Sequence, residues 1–174
     1  VGLTAEKPKH ATVVGGGFIG LEMVEALHHR GIAVTLLELA DQVMAPVDRE
    51  MANMLQAHMR EKGIDLRLKT GLSAITAADF YPAEPESTGM YDKPITHSYN
   101  LDLMLSCGDQ LQTDMVILAI GVKPETTLAV QAGLELGALG GIKVNTAMQT
   151  SDPDIYAVGD VIETENFITG DASL

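Results

Sequence analysis

Along the chain, apolar residues gather in short runs separated by turn formers, and the spacing within the runs separates strands from helices. Ala11 to Val14 is an apolar run that leads straight into Gly15-Gly16-Gly17, which predicts a buried strand and a tight turn. From Phe18 to Arg30, apolar Phe18, Leu21, Val24 and Leu27, with Ile19 and Met23 beside them, keep helical spacing, and Gly31 fits the residue just past a helix end. Ile32 to Leu37 predicts a second buried strand ending at Glu38. Asp41 to Val47 is a loop carrying Pro46. Asp48 can cap the next helix, expected to bury Met51, Met54, Leu55 and Met59 and to stop at Gly63. Ile64 to Leu68 is a third strand. The order β-α-β-α-β predicts a parallel sheet with helices on its faces.

The period then changes. Leu72 to Ala78 and Tyr99 to Leu105 alternate as antiparallel strands do, and the Pro-, Gly- and acid-rich segment Phe80 to His97 between them reads as a long exposed loop. Cys107-Gly108-Asp109 is a turn, so a three-stranded antiparallel excursion is expected from about Leu72 to Gln112. Met115 to Ile120 is a strongly apolar strand, ended by Gly121 and Pro124. Thr126 to Ala132 predicts a short helix before Gly133, and Ile142 to Val144 and Ile155 to Val158 predict two late strands. The fold class is therefore α/β: a Rossmann-like parallel sheet with an antiparallel three-stranded meander.

Composition narrows the partners. Eleven Lys and Arg against 24 Asp and Glu give a formal net charge of −13, which repels phosphate backbones and argues against nucleic-acid binding. No apolar run reaches the roughly 18 residues that span a bilayer. A single cysteine excludes an intrachain disulfide and suits a reducing, cytoplasmic setting. The chain opens on Val1 and stops at Asp171-Ala172-Ser173-Leu174 with no closing element, the expected look of a piece excised from a longer protein.

Candidate chemistry concentrates at Gly15-Gly16-Gly17-Phe18-Ile19-Gly20, a G-x-G-x-x-G pattern that follows a predicted strand, opens a predicted helix and sits in a βαβ unit. In that setting Gly15 permits the tight turn, Gly17 lets backbone approach a pyrophosphate, and Gly20 lets helix and strand pack closely. Exposed N–H groups and the helix dipole hold the phosphates. Glu38, 18 residues beyond Gly20, ends the next strand, where its carboxylate can accept bonds from the adenosine ribose and repel a 2′-phosphate. No Arg or Lys stands between Leu39 and Val47, so NADH is favoured over NADPH. Without the motif's context, the same residues describe a packing turn and a solvated glutamate.

The run Gly15 to Gly20, continued by Leu21 and Glu22, resembles the NAD(P)H-domain signature of the flavin-dependent pyridine nucleotide–disulfide oxidoreductases. Ala119-Ile120-Gly121-Val122-Lys123-Pro124 is similar to a second segment of that family. Thr150 to Asp160, ending Ile155-Tyr156-Ala157-Val158-Gly159-Asp160, is similar to its second FAD-contacting motif. Three motifs in order cover nearly the whole chain, and within the family they resemble most the coenzyme A-disulfide reductase, persulfide reductase and NADH oxidase branch. The resemblance implies that Glu22 and Phe18 lie near the nicotinamide, that Ile120 and Gly121 line the cofactor's other side, and that Gly159 and Asp160 contact FAD in a longer parent. On the residues alone, Glu22 also reads as a surface acid, Phe18 as a core residue and Asp160 as a turn aspartate.

The resemblance also implies residues 1–138 as an NADH-binding domain and 139–174 as a partial return to a FAD-binding domain. The parent is expected to be a homodimer that passes hydride from NADH to FAD and electrons on to a small-molecule disulfide, persulfide or oxygen. Its redox cysteine is expected outside this chain, because Cys107 sits at a turn without the cationic or helix-N-terminal setting a reactive thiolate needs. No metal site is expected. The isolated chain is expected to be inactive, or to act as a non-catalytic NAD-binding or sensing module. A self-sufficient short-chain dehydrogenase is disfavoured, since no Tyr is followed four residues later by Lys.

Overall fold

The structure is a computed structural model that describes residues 8–78 and 101–174. The expected Phe80–His97 loop and the first two positions of the expected Tyr99–Leu105 strand lie outside the described residues. The chain forms two compact units, Val1–Gly121 and Val122–Leu174.

In the first unit, β1 (His10–Val14), α1 (Phe18–His29), β2 (Ala33–Leu37), α2 (Arg49–Glu61) and β3 (Asp65–Arg67) follow in the predicted order. After them come β4 (Leu72–Ala77), β5 (Leu101–Leu105), β6 (Gln110–Thr113) and β7 (Met115–Leu118). Strands β3-β2-β1-β7 form a parallel sheet, and β4-β5-β6 form an antiparallel one. Both the parallel Rossmann-like sheet and the three-stranded meander are thus as the pattern predicts.

β1 lies inside the parallel sheet and serves two cores. Ala11 and Val13 pack with Val24 and Leu27 of α1, Val34, Leu36 and Met59. Val14 and Leu37 point the other way, onto Leu103 and Leu105 of the meander. Successive strand residues alternate faces, so one apolar run supplies both. Each fully buried Val or Leu among them stabilises the fold by roughly 1.5–3 kcal/mol.

The α2 expectation needs correction. Met51 and Met54 are 60% and 69% exposed, while Ala52, Gln56 and Met59 are buried and Leu55 is partly so. The 52-55-56-59 spacing is one helix face, and the small Ala52 lets it sit close to the sheet, turning the longer methionines outward. Asp48 is the cap residue, as expected, although its side chain makes no capping hydrogen bond.

At the opposite end of β1 from the glycines, a polar cluster joins the layers. His10 Nδ1 lies 3.0 Å from Thr113 Oγ1, and Nε2 lies 3.0 Å from Thr35 Oγ1. The Thr35 hydroxyl donates to the Asp65 carboxylate at 3.2 Å, so its oxygen receives a hydrogen from Nε2. Burial lowers the His10 pKa below 6.5, against the upward pull of the Asp114 and Asp65 carboxylates. A histidine with a depressed folded pKa stabilises the protein fully above its unfolded value and progressively less as pH falls through the folded one. Unfolding free energy is therefore expected to decline as pH drops below 6.5, and His10→Gln to make that decline shallower in urea titrations. An equally steep decline in the variant would assign it to other groups.

The second unit contains α3 (Thr127–Gln131), β8 (Ile142–Lys143), β9 (Ile162–Glu165) and β10 (Ala172–Ser173). β9 runs parallel to β8 and antiparallel to β10. Two expectations are corrected here. Ile155–Val158 is not a strand: Tyr156 makes only an isolated antiparallel bridge to Gln149, through Thr150 N–H to Ile155 O and Ala157 N–H to Met148 O, while Ile155 N–H turns back to Asp152 O. The chain's last residues do form an element, β10, which the small and polar Ala172–Ser173 pair does not advertise. Among the described residues, no helix is long and apolar enough to cross a membrane.

Candidate functional site

The site grows from the carboxyl end of β1. The strand's ladder continues one residue further, Gly15 N–H donating to Leu37 O at 2.8 Å, and the chain then turns into α1. Gly15 makes that turn with φ +107°, and a Cβ there would lie 2.3 Å from Ala119 O. Gly20 is buried in the first turn of α1, where a Cβ would lie 1.8 Å from Gly15 O. Both glycines are thus required by close backbone approach. Gly17 differs: a Cβ there meets nothing within 4 Å.

Gly17 is also the residue that caps α1, and no side chain bonds the helix end. The first intrahelical bond is Leu21 N–H to Gly17 O at 3.0 Å, so the N–H groups of Phe18, Ile19 and Gly20 precede it. The first turn carries no acid. A twelve-residue helix with no side-chain cap, no acid in its first turn and an exposed glycine at its head suits an anion.

Glu38 closes the end of β2 beside this loop. Its carboxylate is held at both oxygens: Oε2 accepts Gly16 N–H at 2.5 Å and Oε1 accepts Ala40 N–H at 2.6 Å. A carboxylate fixed by two backbone donors keeps lone pairs available at a set position, which is what reading a pair of hydroxyls requires.

These parts line one cleft of about 1100 Å³, which contains Gly15 to Ile19, Glu38, Ile120 and Gly121. Most of the residues singled out in unit 1 are therefore brought together. Gly121 has φ +112° and Ile120 is 73% exposed, so β7 ends at Leu118 and the two residues after Ala119 form the cleft's wall, not the strand's end. Phe18 is 65% exposed, which corrects the reading of it as a core residue: as the first residue of α1 it lines the cleft. Glu22 is exposed and lines a neighbouring groove between α1 and α2, which Phe18 also borders. In unit 2, Gly159 has φ +82° and begins an exposed turn with Asp160.

A family model described as pyridine nucleotide-disulphide oxidoreductase matches residues 3–170. The chain belongs to that family. An NADH oxidase of Methanocaldococcus jannaschii is 38% identical over 95% of this chain and 33% of its own length. The crystal structure of reduced CoADR-RHD from Bacillus anthracis is 47% identical, with a TM-score of 0.78 over 96% of this chain and 26% of that one. An NAD-dependent persulfide reductase from A. fulgidus is 36% identical, with a TM-score of 0.81 over 96% of this chain and 28% of that one. The chain thus spans about a third of the length of the curated relatives it matches.

Several contributors to the cleft escaped the sequence reading. Ile75 of β4 and Ser106 after β5 line it, and the Ser106 hydroxyl accepts Gly71 N–H at 2.8 Å. Only the meander's return places them there, so no local pattern could have marked them. Arg49 folds back onto the loop that follows Glu38 and pairs with Asp41 at 2.6 Å. That ion pair holds the Asp41 carboxyl below its ordinary range. The cation stands just beyond the Leu39–Val47 window, and Asp41 already claims it.

Proposed function

We propose that this chain supplies the NADH-binding part of a flavoprotein oxidoreductase, in which hydride passes from NADH to FAD and electrons then go to a disulfide, persulfide or oxygen. The observation that carries the reading is one cleft holding both a helix head at Gly17 with no side-chain cap and a carboxylate fixed at Glu38. A dinucleotide needs these two features together, an anion site for its pyrophosphate and an acceptor for its adenosine ribose. The hydride chemistry belongs to the cofactors when bound.

The chain's own residues bind and orient. The N–H groups of Phe18, Ile19 and Gly20 hold the phosphates, Glu38 takes the ribose hydroxyls, and Phe18, Ile120 and Gly121 flank the nicotinamide half. Residues 1–138 carry this role. Residues 139–174 belong to a FAD-binding domain, to which the exposed Asp160 carboxylate on its glycine turn offers acceptors for flavin-side hydroxyls. The persulfide reductase and NADH oxidase relatives support the range of acceptors. A homodimeric parent follows from the family resemblance alone, and a cytoplasmic setting from the single cysteine.

Glu38 provides the test. NADH is expected to bind more tightly than NADPH in fluorescence titrations. Glu38→Ala combined with Leu39→Arg, at an exposed position lining the cleft, is expected to shift the preference roughly 10- to 100-fold toward NADPH. Equal affinity for both cofactors in the unmutated protein would show that Glu38 does not read the ribose.

A further inference from the structure

Gln56 is the polar member of the buried stripe on α2, only 5% exposed. An amide on a helix face turned to an apolar core is unfavourable unless its polar atoms are bonded. Its Oε1 accepts the backbone N–H of Val43 at 3.1 Å, and its Nε2 donates to Asn53 Oδ1 at 3.1 Å. Val43 is wholly buried and lies in the loop between β2 and α2, where a backbone donor has no ladder partner.

The contacts continue toward the cleft. Met44 has φ +52°, a left-handed conformation uncommon for its side chain, and its N–H donates to Gly16 O at 2.8 Å. Gly16 N–H in turn donates to Glu38 Oε2 at 2.5 Å. There is little slack at this point, since a Cβ on Gly16 would come within 3.0 Å of both Val43 Cγ1 and Glu38 Oε2. An unbroken series of contacts therefore joins the Gln56 amide, the Val43–Met44 backbone, Gly16 and the Glu38 carboxylate.

We propose that Gln56 is a positioning residue for cofactor discrimination: by bonding Val43 N–H it holds the Val43–Met44 turn against Gly16, and so fixes the Glu38 carboxylate where it meets a ribose. It touches no ligand itself, and the inference rests on the reading of Glu38 as the ribose acid. Without its acceptor, the buried Val43 N–H must find another partner, which draws the loop outward or admits water. Met44 then relaxes from its left-handed conformation, Gly16 loses one anchor, and the carboxylate samples other rotamers. A mobile carboxylate both grips a ribose less well and repels a 2′-phosphate less.

The test measures dissociation constants for NADH and NADPH in three variants, with thermal unfolding as the check on folding. Gln56→Met keeps the length and helix preference of the side chain but removes the amide acceptor. The NADPH:NADH Kd ratio is expected to shrink about five- to tenfold, with a smaller loss of NADH affinity. Gln56→Glu retains an acceptor for Val43 N–H and is expected to keep most of the ratio. Asn53→Ala, an exposed change that only loosens Gln56, is expected to shift the ratio about twofold in the same direction, and it serves if Gln56→Met does not fold. A lowered melting temperature with an unchanged ratio in Gln56→Met would overturn the proposal and leave Gln56 a structural residue. So would an unchanged ratio in Asn53→Ala where Gln56→Met is unfolded. A ratio near one in the unmutated protein would instead overturn the role of Glu38, and this proposal with it.

Discussion

Replacing Gly20 with alanine is expected to destabilise the first unit by about 3–5 kcal/mol and to lower its melting temperature by ~10 °C or more. The added methyl would sit 1.8 Å from Gly15 O, far inside contact distance, and its neighbour there is backbone, not the end of a mobile side chain. Gly15 cannot retreat, because its own Cβ position is only 2.3 Å from Ala119 O and its φ is +107°. Either α1 lifts from β1, opening the core around Val24 and Leu27, or the glycine turn unwinds. Thermal and urea unfolding followed by circular dichroism measure the loss, and NADH binding should fall with it. An unchanged midpoint would mean that α1 does not approach β1 as closely as the structure has it.

Gly17→Asp is expected to do the reverse, weakening NADH binding at least about 100-fold while leaving stability equal or higher by a few tenths of a kcal/mol. The position is extended, with φ −80° and ψ −171°, open to any residue, and a Cβ there meets nothing within 4 Å. Aspartate is a better helix cap than glycine, and its charge suits a helix N-terminus that has no acid in its first turn. The same carboxylate then occupies and repels the place of a pyrophosphate. Titration with NADH beside a melting curve separates the two effects. Retained affinity in the folded variant would remove the helix head from the binding site.

The contrast between these glycines shows what the sequence discloses and what it does not. Gly15, Gly17, Gly20 and Glu38 were legible because they belong to one βαβ unit, in which chain order and spatial order coincide. The meander was legible from its alternation, although the walls it lends the cleft, Ile75 and Ser106, were not, since their placement depends on how two sheets pack. Gln56 was hidden for a different reason. Its stripe on α2 also contains Ala52, and apolar counting favoured the larger Met51 and Met54, which the structure turns outward. Arg49 escaped because a window drawn along the chain ended two residues before it, while the loop curls back to meet it. Ile155–Val158 misled because apolar content alone cannot register that its pairing with Met148–Thr150 is limited to a single bridge.

The position of β1 between two cores bears on how the protein breathes. Its odd and even residues are sealed beneath different layers, Ala11 and Val13 under α1 and Val14 under the meander. A fluctuation that frees one layer leaves the strand clamped by the other, so its amides should exchange with solvent only when both layers let go together. The glycine turn hangs directly from this strand's end. The turn is a flexible sequence tethered to the strand expected to exchange slowest, and that tether gives a loop of small residues a lasting shape without any side chain of its own to brace it.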